Sequence, residues 1–145
     1  MRLTRVERML LVVLNAFLAM SAIAGGIGLL GGGIQFPLEW LRGSPFSSYL
    51  IPGLALLAIV GGSASIATAL LLLRHPRAAL ASGAAGTIMM IFEIVEVLVV
   101  GSQPGLMRNL QILYFTLGLV IVGLAVQWWA SAYVARQRRP HATTP

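Results

Sequence analysis

The sequence predicts an all-α fold, a bundle of four antiparallel transmembrane helices with both termini in the cytoplasm. Of 145 residues, 58% are hydrophobic and 10% charged, with a mean hydropathy of +0.89. Soluble domains carry about 25% charged residues. Four apolar stretches each reach the ~20 residues that a helix needs to cross ~30 Å of hydrocarbon. The links between the last three are so short that these helices must be antiparallel neighbours. The chain therefore reads as one integral membrane domain, residues 1–145.

The first helix is predicted over residues 9–30, after Arg2, Arg5 and Arg8. Basic residues, an apolar run and Ala22-Ile23-Ala24 before Gly25 are also the pattern of a cleaved signal peptide, which would leave three helices. The run continues through Gly-Ile-Gly-Leu-Leu and is long enough to span, which favours a retained helix. In the connection that follows, Pro37 ahead of Leu38, Glu39, Trp40 and Leu41 predicts a short amphipathic turn in the membrane interface, an anchor in preference to a lid over a cavity. Ser44 and Pro45 predict an N-cap with proline at the first helical position. Helix two then covers residues 49–73, with Pro52 as its kink. The sequence RHPR separates it from helix three, residues 78–100, and GSQPG leads to helix four, residues 106–132. The tail, residues 136–145, is expected to be disordered.

Orientation follows from arginine. Arg2, Arg5, Arg8, Arg74, Arg77, Arg136, Arg138 and Arg139 fall on one side of such a bundle, and only Arg42 and Arg108 on the other. The positive-inside rule places the larger group in the cytoplasm. Trp40, Phe46 and Tyr49 then mark the outer interface and Trp128, Trp129 and Tyr133 the inner one.

Each span carries a stripe of small or polar residues at steps of three and four, the spacing of one helix face. Helix one presents Asn15, Ala19, Ala22 and Gly26; helix two Ala58, Gly61, Ser65 and Thr68. Helix three presents Ala79, Ser82, Gly86, Met89, Glu93 and Glu96; helix four Gln111, Tyr114, Gly118, Ala125 and Trp128. Lipid tails are as apolar as leucine, so helices associate through close packing and hydrogen bonds along such stripes. Asn15 and Gln127 fall at similar depth and are expected to bond each other, a contact worth about 0.6 kcal/mol.

The informative stretch is FEIVEV, Phe92 to Val97. An ionised carboxylate at the centre of a membrane helix costs roughly 2.5–3.5 kcal/mol, so Glu93 and Glu96 must face protein or water. Their spacing puts them on one face. A hairpin turning near Gln103 and Pro104 sets Glu96 level with Gln111 and Glu93 level with Tyr114, with Arg108 one turn above. The expected proton or ligand site is therefore Glu93, Glu96, Gln111, Tyr114 and Arg108. It reads either as a proton-coupled or cationic-ligand site, or as a structural cluster in which the last three residues satisfy the two acids.

Other chemistries lack their residues. Without cysteine there are no disulfides or thiolate metal sites. His75 and His141 lie in a link and the tail, so no pair within the bilayer ligates a haem. A di-iron bundle needs Glu-x-x-His, and the fourth residue here is Glu96. There is no HExxH or Walker sequence, and no aspartate for phosphotransfer. No intramembrane histidine or lysine stands ready to activate a serine. The chain is expected not to be an enzyme, with no catalytic residue, metal or cofactor. The net charge of +6 comes from arginines at the ends of apolar runs, whose partner is lipid phosphate and not nucleic acid. The expected partners are the lipid bilayer and either further copies of the chain or another membrane protein.

The stretch FSSYLIPGL, Phe46 to Leu54, followed by RHPR and a glutamate-bearing third span, resembles small uncharacterised four-helix bacterial membrane proteins. The resemblance implies the architecture and a bacterial inner membrane, and brings no known activity. Size and a membrane acid also invite comparison with small multidrug transporters. Their glutamate lies in the first helix, where Asn15 is the only strongly polar residue here. The leading expectation is an accessory or structural membrane protein with a buried acidic site; the alternative is a proton-coupled transporter of small cationic or amphiphilic compounds.

Overall fold

Leu11, Asn15, Leu18, Ala19, Ala22 and Gly26 recur at steps of three and four, and they are the residues that the first helix buries. That helix, α1 (Arg5–Leu30), opens a computed structural model that describes residues 5–137. A 3-10 turn (Leu38–Leu41) precedes α2 (Leu50–Leu72), and α3 (Ala78–Val100) and α4 (Leu106–Gln137) complete the bundle. The fourth helix runs past the end expected near residue 132. Arg2, and residues 138–145 of the tail expected to be disordered, lie outside the described residues.

All four helices are long and apolar enough to cross a membrane, and the pattern of burial agrees. Met20, Ile66, Leu80, Leu98 and Leu119 are exposed, while Asn15, Ser82, Glu93 and Gln111 are buried. A water-soluble bundle distributes these types the other way round. Large aliphatic side chains outside and small or polar ones between helices suit a solvent of acyl chains. The chain is a multi-pass membrane protein.

The helices pack as two hairpins. In the first, a Cβ on Gly26 would lie 2.9 Å from the Gly53 carbonyl oxygen, so only glycine lets α1 and α2 approach this closely. In the second, a Cβ on Gly86 would lie 2.8 Å from the Gly118 oxygen, and the reverse holds for Gly118. The hairpins meet at the end that carries the chain termini. There Leu11, Leu18, Ala64, Ala67, Leu71 and Ala78 form one apolar cluster. The Asn15 amide donates to Leu11 O at 2.9 Å and to Ser82 Oγ at 3.4 Å, tying α1 to α3.

Several expectations are corrected. Asn15 bonds Ser82 and not Gln127, because Gln127 sits beside the buried Ile121–Ala125 line and faces outward. The buried stripe of α2 is Val60, Ala64, Ala67 and Leu71, one residue away from that expected, of which only Gly61 is buried, against Ile23 of α1. Two causes combine. A π-helical stretch, Ala55–Gly61, rotates the face and leaves Ala58 exposed. Ser65 and Thr68 satisfy their hydroxyls on the carbonyls of Gly61 (2.7 Å) and Ala64 (2.8 Å) and need no neighbour. Ser44 is not an N-cap: its Oγ accepts from the Phe46 N–H in a local turn, and α2 begins at Leu50. Pro52 thus falls in the first helical turn, where its missing N–H goes unnoticed, so the departure from α-geometry comes later, in the π stretch.

The link between α2 and α3 ends α2 with a left-handed residue, Arg74 at φ 55. His75 N–H reaches Leu70 O at 2.9 Å and Arg74 N–H reaches Leu71 O at 3.2 Å, which closes the helix end with the Schellman pattern usually built on glycine.

Candidate functional site

At the opposite end, where the first and third connections lie, the two hairpins stand apart around a cavity of about 230 Å³. Its wall takes Leu18, Ala22, Gly25 and Leu29 from α1, Leu56 from the π stretch of α2, Met89, Phe92, Glu93 and Glu96 from α3, and Met107, Leu110, Gln111 and Tyr114 from α4. The lining is overwhelmingly hydrocarbon, with a few polar groups, the usual make-up of a small-molecule site.

The first connection closes over it. Ile34 and Phe36 reach the cavity wall. Ile34 is held because its N–H bonds Gly28 O at 2.9 Å and its side chain fills the notch that Gly28 leaves. Phe36 stacks on Trp40 (5.6 Å between centroids) and meets Tyr49 (5.8 Å), whose hydroxyl donates to Pro37 O at 3.0 Å. Burial first, and the charge of Glu96 second, hold the Tyr49 phenol above its ordinary pKa of 10, so it remains a hydrogen-bond donor. The amphipathic turn expected as an anchor is also part of a cover, with Leu41 buried and Glu39 exposed.

The two acids differ. Glu96 is half-buried and accepts a hydrogen bond from Gln111 Nε2 at 3.1 Å, the residue expected at its depth. The same nitrogen donates to Gly101 O at 3.2 Å, which fastens the α3–α4 turn, where Gly101 adopts φ 81. Glu93 is 5% exposed and makes no hydrogen bond; its Oε2 is enclosed with no partner. Gln111, 6% exposed, likewise leaves Oε1 enclosed and unpartnered.

Of the remaining expected residues, Tyr114 lines the cavity and stacks on Phe17 of α1 at 6.5 Å between centroids, bridging the two hairpins. Its hydroxyl bonds neither acid. Arg108 does not join the group. It is exposed, and its guanidinium donates to Ser102 O at 3.3 Å, beside the turn. An arginine at the first turn of a membrane helix extends toward the polar surface, where its charge is hydrated. The acids therefore lack the cation that the sequence offered them. Ile34, Phe36 and Leu56 were not singled out in the sequence: the first two enter by the fold of a loop, and no local pattern distinguishes Leu56 from its neighbours.

Among the described residues no cluster of His, Cys, Asp or Glu could hold a metal ion. Compared with protein families, with curated proteins and with solved structures, the chain matches none.

Proposed function

We propose that the chain binds a small cationic amphiphile in the cavity between its hairpins and exchanges it for a proton on Glu93. We place it in a bacterial inner membrane with both termini cytoplasmic, on the strength of its arginine distribution. The cavity then lies in the outer half of the bilayer.

The observation that carries this reading is the Glu93 carboxyl, 5% exposed, without a hydrogen bond, in the wall of an apolar cavity. Leaving a buried polar group unsatisfied costs about 1–3 kcal/mol. A carboxyl kept only as glue is bonded, as Glu96 is to Gln111. Glu93 is therefore the ligand group and Glu96 the structural one. An apolar surround tolerates little net charge. The site is neutral either as the acid or as a carboxylate paired with a bound cation, so cation binding and proton release are linked.

Reconstituted in liposomes with an external pH dye, the wild-type protein should release protons when benzylammonium is added, and Glu93→Gln should abolish the release. Glu96→Gln should retain it. A wild-type protein that releases none, or a Glu93→Gln variant that releases as much, would return the chain to the class of accessory or structural membrane proteins.

A further inference from the structure

We infer that the ligand's head group is a primary or secondary ammonium, gripped jointly by Glu93 and Gln111, with Gln111 setting the selectivity. The inference rests on the carboxyl-centred cation site proposed above and specifies its chemistry.

The unused hydrogen-bonding capacity of the cavity decides the matter. Ser21 uses its hydroxyl proton on Leu18 O at 3.2 Å. Gln111 has two amide hydrogens, and Nε2 makes two bonds, to Glu96 Oε1 and to Gly101 O. Those two bonds fix which way the amide points, since a flipped amide would set its oxygen against two acceptors. The oxygen Oε1 is thereby left unpartnered, and so is Glu93 Oε2. No lysine, arginine or histidine lines the cavity. Once Glu93 has given up its proton, the groups of the wall still free to bond are, apart from the Tyr114 hydroxyl, acceptors, and two of them lack a donor.

A ligand that completes this site must supply positive charge and more than one N–H. An anion meets no donor of charge. A quaternary ammonium satisfies the charge of Glu93 but gives neither oxygen a hydrogen. A tertiary ammonium serves one oxygen and leaves the other bare, whereas primary and secondary ammonium groups serve both. The terminal torsion of Glu is broad, so a small rotation of the unbonded Glu93 carboxyl brings its oxygen to the cavity without moving the helices, while the Gln111 amide keeps its two bonds. The volume of about 230 Å³ lies below the roughly 300–1,000 Å³ of drug-sized pockets, which limits the hydrocarbon body to a few rings or a short chain.

Calorimetric titration of the purified full-length protein in detergent tests this with two isomeric cations of equal size, 4-isopropylbenzylammonium and benzyltrimethylammonium. The primary amine should bind about tenfold or more tightly, the value of a charged hydrogen bond. Gln111→Met, similar in volume but without the amide oxygen, should shrink that ratio several-fold. General loosening of the fold would weaken both cations alike and leave the ratio unchanged. Should that variant fail to fold, N-methylbenzylammonium and N,N-dimethylbenzylammonium on the wild type decide, with the drop expected between secondary and tertiary. Equal or tighter binding of the quaternary cation, lost in Glu93→Gln, overturns the donor requirement and leaves the proposed function standing. No binding of any of these cations overturns both.

Discussion

Along α3, two buried polar residues three turns apart meet opposite circumstances. Ser82 lies where the hairpins touch, and its hydroxyl receives the Asn15 amide from α1. Glu93 lies where the hairpins have parted, and its carboxyl receives nothing. The difference is one of side-chain size. Around Ser82 the neighbours are Ala78, Ala79, Ala85 and Gly86, and backbones can close together. Around Glu93 they are Met89, Phe92, Tyr114 and Leu110, which hold the helices apart and leave room. One stripe on one helix thus serves as an adhesive in its first half and as the wall of a chamber in its second.

The largest effect should come from filling a crossing where two glycine backbones touch. Gly86→Val sets a branched side chain against the Gly118 carbonyl oxygen, a backbone atom that cannot swing aside. Overpacking of this kind costs about 1–3 kcal/mol, and the upper end is expected here. Leu110→Phe, which likewise adds three carbons but in the cavity wall, should cost well under 1 kcal/mol because there is space to receive it. Thermal unfolding of both variants in detergent checks the contrast. Equal losses would mean that the two halves of the bundle are packed alike.

How much of this the sequence disclosed depends on what each feature requires. Four helices, their antiparallel order and the buried faces of α1 and α3 follow from local hydropathy and spacing, and the structure has them. The meeting of Glu96 and Gln111 needs only a hairpin of known length, because depth in a tight turn is arithmetic. Asn15 shows the limit, since equal depth does not say which neighbour a side chain faces, and it bonds Ser82. Arg108 shows another: a long flexible side chain at a helix end is drawn to hydration, and proximity along the helix does not bind it to an acid. Of the stripe expected on α2 only Gly61 is buried, the rest of the buried line lying one residue away, and nothing in ALLAIVG announces the π stretch. The cover was least legible, because Ile34 and Phe36 reach the cavity only through the tertiary path of the loop.

A second effect of intermediate size would sharpen the contrast between Glu93 and Ser82. Glu93→Leu removes an enclosed oxygen that has no partner and puts a side chain of comparable bulk among Met89, Phe92 and Tyr114. Stability should rise by about 1–2 kcal/mol, the cost of an unsatisfied buried group being relieved. Proton release on addition of benzylammonium should vanish in the same protein. A site retained for function at the expense of stability predicts both changes together. A loss of stability would show that the carboxyl has a partner after all and belongs with Ser82 as an adhesive.

The smallest effect concerns the cover alone. Tyr49→Phe removes one hydrogen bond to Pro37 O from a half-buried side chain near the surface and should cost about 0.5 kcal/mol. Its pH dependence says more than its size. The phenol is held above its ordinary value of 10 by burial and by Glu96, so folding favours its protonated form. That contribution is complete below pH 10, where the unfolded phenol is also protonated. It is lost as the pH rises through the higher value of the folded protein. Above that point a phenolate faces both the Pro37 carbonyl and the Glu96 carboxylate, and the aromatic cluster with Phe36 and Trp40 has no reason to hold. Hydrogen exchange over residues 33–49 should therefore quicken at alkaline pH in the wild type. In Tyr49→Phe it should already be modestly faster and show no such step, while the contact of Asn15 with Ser82 at the other end stays protected throughout. An alkaline step that persists in Tyr49→Phe would assign the transition to another group and detach the cover from the chamber beneath it.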